Sequence, residues 1–136
     1  MNEKKICDLD FGLNQEDKLL PFFKKYFNNN NIKKTNKNNF FDYECDDLMI
    51  ELKSRRINHN KYDSLIFGKN KWDKGKDYIN EGKDVYFIFN CNDGIFLYKQ
   101  DLSKPPIFKQ GGRFDRGRPE IQELTHIPVS DLIKIN

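Results

Sequence analysis

Three side chains within one short stretch, Asp42, Glu51 and Lys53, have the types and spacing to handle a phosphate ester with the help of a bound cation. They lie in Phe40-Phe41-Asp42-Tyr43-Glu44-Cys45-Asp46-Asp47-Leu48-Met49-Ile50-Glu51-Leu52-Lys53, where two β-rich runs flank an acidic pair. With Asp46-Asp47 as the turn of a hairpin, Cys45 falls opposite Leu48, Glu44 opposite Met49, Tyr43 opposite Ile50 and Asp42 opposite Glu51, and opposed residues share a face. The period of two puts Lys53 beside Glu51 and sends Phe41, Tyr43, Cys45, Leu48, Ile50 and Leu52 to the other face, as an apolar core set. Opposed carboxylates repel at neutral pH, so their placement calls for a cation between them. Mg²⁺ suits it, because that ion takes a few protein oxygens and fills the rest of its shell with water and substrate phosphate. Asp42 and Glu51 supply carboxylates, and the Leu52 carbonyl a third oxygen. Lys53 then neutralises charge on an attacked phosphate or holds the attacking water. An acidic-x-Lys triplet alone is common, and its plainest reading is a solvated lysine at a strand end; the aspartate at hairpin distance favours the site.

The elements that must position these groups are partly visible. Asn14 can cap a helix beginning at Gln15, with Asp17 near the positive end of its dipole. Leu19, Leu20, Phe23, Tyr26 and Phe27 repeat at helical spacing, and Glu16 falls on the same inward stripe, where a carboxyl group needs a partner. Pro21 opposes this, since a helix that instead starts there leaves Glu16 in a turn. Residues 28–39 are an asparagine- and lysine-rich loop or hold a short strand at 32–35. A brief apolar segment at 64–67 leads to Gly68, and 69–81 reads as a second helix with Trp72, Gly75, Lys76 and Ile79 on one side and Gly82 as its stop. Residues 85–90 and 95–100 form strands joined through Asn92-Asp93-Gly94, a hairpin signal. A last strand at 121–127 precedes a C-terminal turn at 130–135. These elements predict an α/β fold with a central mixed β-sheet flanked by helices.

Asp42, the triplet Glu51-Leu52-Lys53 and the helical Glu16 resemble the PD-(D/E)XK nuclease superfamily, the restriction-endonuclease-like group that includes junction resolvases and viral and phage nucleases. The likeness covers about residues 14–98; Phe41 stands where the signature has proline. It implies an αβββαβ core, and a Mg²⁺- or Mn²⁺-dependent nuclease acting on DNA, most simply an endonuclease. It further implies catalytic Asp42, Glu51, Lys53 and Glu16, with metal held by Asp42, Glu51, Glu16 and the Leu52 carbonyl. Small size and the helical glutamate are similar to the resolvases, which work as dimers. The rival reading is a catalytically inactive nucleic-acid-binding or assembly subunit on the same scaffold.

Composition bounds the rest. A chain of 136 residues predicts one domain over 1–136. Its net charge of +3, from 24 basic and 21 acidic residues, does not by itself mark a nucleic-acid binder. The arginines are more telling, in two clusters, Arg55-Arg56 and Arg113, Arg116 and Arg118 in a Gly-rich loop, where planar guanidinium groups suit phosphate; Lys69, opening the second helix, is a further candidate contact. Chance clustering in a lysine- and asparagine-rich chain is the bland alternative. His59 and His126 lack metal-ligand spacing, though His59 and Tyr62 could line a substrate groove. Cys7, Cys45 and Cys91 form no disulfide framework and fit a reducing interior, cytoplasmic or nuclear, or a host cell if the source is viral. No apolar leader or membrane span is expected.

Overall fold

The computed structural model describes residues 3–36, 38–113 and 120–136, and of 3–14, 112–113 and 120–121 the backbone alone. Its elements run α1 (Glu3–Tyr26), β1 (Lys33–Lys34), β2 (Tyr43–Glu44), β3 (Leu48–Ser54), β4 (Ser64–Gly68), α2 (Lys69–Asn80), β5 (Asp84–Cys91), β6 (Gly94–Lys99), β7 (Ile107–Arg113), β8 (Glu120–Pro128), a 3₁₀ turn (Val129–Asp131) and β9 (Ile133–Lys134). A six-stranded mixed sheet has the order β1-β2-β3-β5-β6-β9, and a three-stranded antiparallel sheet the order β4-β8-β7. The expected αβββαβ order is present as α1, β1, β2, β3, α2 and β5, with β4 inserted ahead of α2. β3 and β5 pair in parallel across the α2 crossover, Glu51 beside Phe87 and Lys53 beside Phe89.

The hairpin register is the expected one, Tyr43 against Ile50 and Glu44 against Met49, with the Cys45 N–H donating to the Leu48 carbonyl. Two-sided burial of the sheet differs from expectation. One face, with Tyr43, Leu48, Ile50, Leu52, Ile88 and Leu97, packs against Phe23 of α1. The other, with Met49, Val85, Phe87 and Phe89, packs against Trp72 of α2 and Leu65, Phe67 and Ile127 of the smaller sheet. Parallel pairing explains this, because the crossover lays cover on the face that a simple hairpin leaves to water. Phe41 belongs to this second group, stacking edge-on against Phe87 and Tyr78, rather than to the set of Tyr43 and Ile50, because regular pairing stops before it.

α1 starts at Glu3, well before Gln15, and continues through Pro21. Proline removes one N–H from the ladder; tertiary packing of the following turn compensates, as Phe23 meets Tyr43 edge-to-face at 5.1 Å and Phe27 lies 4.8 Å from the Tyr86 ring. Glu16 is therefore helical. β1 is shorter than the expected 32–35, the hairpin at Asn92-Asp93 holds, and residues 130–135 form a 3₁₀ turn and then β9 on the edge of β6. Gly111 and Gly112, expected in a loop, lie in β7.

α2 approaches the sheet closely at Gly75. An added Cβ there would stand 1.9 Å from Oε1 of buried Gln100, whose Nε2 donates to the Trp72 carbonyl at 3.0 Å. Gly75→Ala should gain helix propensity yet lose more to overpacking, for a net destabilisation of about 1–2 kcal/mol in urea unfolding. Gly75→Ala combined with Gln100→Ala should recover part of that loss, and a single variant as stable as wild type would contradict the close approach.

Candidate active site

Asp42 is placed by an interrupted ladder. Its N–H donates to the Ile50 carbonyl at 3.0 Å and its own carbonyl accepts the Thr35 N–H at 3.0 Å. One step further, a regular ladder would carry the Leu52 N–H to the Phe41 carbonyl. That carbonyl instead accepts the Thr35 hydroxyl, and the Leu52 N–H donates to Asp42 Oδ2 at 2.8 Å. The side chain of Asp42 thus replaces backbone and is pinned to β3. N–H and C=O of one strand residue point to the same side, so the Leu52 carbonyl faces this edge as well.

Glu51 is 3% exposed. The ammonium groups of Lys71 and Lys53 lie 2.9 Å from its Oε2 and 4.0 Å from its Oε1. Lys71 is not aligned for a hydrogen bond, and Oε2 has no hydrogen-bond partner among the described residues. Burial first, and the charge of Asp42 second, push the Glu51 carboxyl up to about 8, against the pull of both lysines. Lys53 is held below the usual lysine range, chiefly by burial, with Arg55 and Lys71 adding to the shift and Glu51 opposing it.

Glu16 reaches the same group from the opposite side of the sheet. Burial, then the charge of Asp42 and a hydrogen bond to it, raise its carboxyl to about 7, while Lys34, 3.7 Å away, opposes the rise. α1 is anchored on both sides of this residue: the Tyr43 hydroxyl donates to the Glu16 carbonyl at 2.6 Å, and the Asn90 amide to Gln15 Oε1 at 2.8 Å. Asp42 is consequently the junction between a helical glutamate and a strand glutamate. No group of three or more His, Cys, Asp or Glu side chains among the described residues is gathered closely enough to hold a metal ion as it stands. The donor set nonetheless fits a hard divalent cation, with carboxyl groups converging on Asp42 and a buried Glu51 oxygen lacking a hydrogen bond.

The basic candidates divide. Arg55 and Arg56 are exposed just beyond β3, and Arg55 is near enough to influence Lys53. Lys69 opens α2 but pairs with Asp73 at 3.2 Å and lies over the Phe108 ring, so it does not join Glu51. Arg113 ends β7; its side chain, and Arg116 and Arg118 altogether, lie outside the described residues. Lys71 was not anticipated. It also donates to the Phe40 carbonyl and lies over the Phe40 ring. The available signal was its place beside Trp72, at the border of the buried stripe of α2. His59 serves structure, held by Asp93 through backbone and ring and stacked on Phe96 at 4.0 Å.

The two raised carboxyl groups have a measurable consequence without metal. Folded protein retains protons on Glu16 up to about 7 and on Glu51 up to about 8, where the unfolded chain has released them from an ordinary value of 4.5. Their stabilising contribution is complete below the unfolded value and lost as pH rises through the folded ones. The melting temperature of metal-free protein should therefore fall between about pH 5 and pH 8, and less steeply for Glu51→Gln, which keeps the shape without the charge. Identical slopes would exclude Glu51 as a source.

A family model described as "Phage putative PDDEXK endonuclease" matches residues 13–135. No curated protein and no solved structure matches the chain. That match takes in both helices' contacts with the sheet and every carboxyl group of the cluster, and the chain accordingly belongs to the phage PDDEXK endonuclease family.

Proposed function

We propose that this protein is a divalent-metal-dependent endonuclease that hydrolyses phosphodiester bonds in DNA. One observation carries the reading: Asp42, pinned to β3, meets Glu51 on one side and Glu16 on the other, with Lys53 4.0 Å from Glu51. Mg²⁺ or Mn²⁺ would be held by Asp42 and Glu51, with the Leu52 carbonyl and Glu16 assisting. When bound, such a cation supplies a more acidic water and offsets charge on the phosphate. The chain's own residues do the rest. Lys53, half-buried and poorly hydrated, places its ammonium beside the phosphate, where charge grows in the transition state and where low dielectric strengthens the attraction. Lys71 holds Glu51 in position until a metal takes that place. Arg55 and Arg56 extend positive charge past the end of β3 for neighbouring phosphates.

The Lys71–Glu51 contact also gives some support to the inactive-subunit reading, since an internal cation can substitute permanently for a metal. Thermal unfolding separates the two. Mn²⁺ should raise the melting temperature of wild type and leave Asp42→Ala unmoved, because only binding to the folded site stabilises it. Equal shifts, or none, would favour the inactive subunit.

Cleavage completes the test. Labelled single-stranded, duplex, flapped and four-way-junction DNA are incubated with Mn²⁺. Lys53→Ala should bind as well as wild type and cut roughly 10²- to 10³-fold more slowly, the usual cost of losing one such electrostatic stabiliser. A wild type that cuts none of these substrates, or a Lys53→Ala protein that cuts at the wild-type rate, would overturn the catalytic assignment.

A further inference from the structure

Beyond the carboxyl cluster, a recess of about 540 Å³ opens between the end of β3 and the smaller sheet, within the ~300–1,000 Å³ of small-molecule sites. Its lining is mostly apolar, with Ile57, buried Leu65 and exposed Ile66. Tyr62, 60% exposed, stands at the mouth, and Arg55 and His126 complete the rim. An exposed aromatic ring beside a mostly apolar recess offers a flat face on which another ring can stack.

Three observations narrow down what covers it. Arg55, which lines the recess, follows the end of β3 two residues after Lys53, so the recess opens just past the strand that carries Glu51 and Lys53. Positive charge borders the far side as well, where Lys109 acts on His126. On the wall, the Ser64 hydroxyl and His126 Nδ1 lie 3.1 Å apart and offer a polar edge. An apolar slot with an aromatic lip suits the face of a base, and a cationic rim suits the phosphates that flank it.

We propose that this recess receives an unpaired nucleobase of the DNA strand whose phosphodiester lies at Lys53, so that the protein reads a base next to the cut. The inference rests on the nuclease reading above. A base in an intact duplex keeps its faces stacked and cannot enter, so the occupant comes from single-stranded, flapped or flipped DNA. Tyr62 and Ile66 contact its faces, Ser64 and His126 its edge, and Arg55 the adjoining phosphate.

The test uses wild-type protein in EDTA, where binding is separated from cutting, and a single-stranded oligonucleotide carrying 2-aminopurine. Binding should change the fluorescence of the analogue. Tyr62→Ala should bind this strand about 5- to 100-fold more weakly, and Tyr62→Phe nearly as well as wild type. A strand with abasic residues at the same place should bind wild type and Tyr62→Ala equally. The proposal falls if Tyr62→Ala binds the intact strand with wild-type affinity. It also falls if deoxyadenosine monophosphate binds as tightly as the oligonucleotide. Cleavage of the same strand with Mn²⁺ is scored separately. Base-dependent binding by a protein that cuts nothing upholds the recess and removes the nuclease reading, whereas cutting without base dependence does the reverse.

Discussion

A buried carboxyl group beside another carboxyl group is the constraint on which this structure turns. Glu51 has left water almost completely and faces Asp42, an arrangement that costs several kcal/mol unless a proton or a cation answers it. Two lysines from different elements provide part of the answer, Lys53 from β3 and Lys71 from α2. The position of α2 is therefore a property of the site as much as of the core. Gly75 lets the helix close onto Gln100, Gln100 ties to the backbone at Trp72, and Lys71 is carried with them. A buried carboxyl group set between lysines is a poor source of net stability; what it provides is a defined place for a cation.

The same economy appears at Asp42. Ending a backbone ladder leaves an N–H without a partner, and a side-chain carboxylate that takes it is fixed without further contacts. The departure of the chain at Phe41 supplies the room: the Phe41 carbonyl turns to Thr35 and its ring crosses to the α2 face. Tyr43, one residue later, faces α1 and holds the Glu16 carbonyl. Three consecutive residues thus address α2, the site and α1 in turn.

How much of this was legible in the sequence follows from which forces are local. The register of the hairpin was readable because alternation and an acidic turn constrain it together, and Glu16 because a carboxyl on an apolar stripe demands a partner. The path through Pro21 was not, since it depends on aromatic packing of Phe23 and Phe27 with residues far along the chain. The smaller sheet was legible only in part: the strand at 121–127 was expected, but β4 meets it across some sixty residues, and the glycines of β7 give no alternation to follow. Lys71 stands at the border of the buried stripe of α2, and only the crossover that brings it to Glu51 reveals its partner. Fold class and carboxyl set were local; the cation that balances them was topological.

The margins of the larger sheet have an assembly consequence. Its outermost strands, β1 and β9, are two residues each, made of Lys33 and Lys34 on one side and Ile133 and Lys134 on the other. Short, lysine-bearing edges give an incoming strand almost no backbone to pair with and meet a second copy with like charge. Sheet-to-sheet extension between molecules is disfavoured at both margins. Two copies acting together on one DNA would then meet elsewhere than along these edges, leaving each six-stranded sheet to end within its own chain.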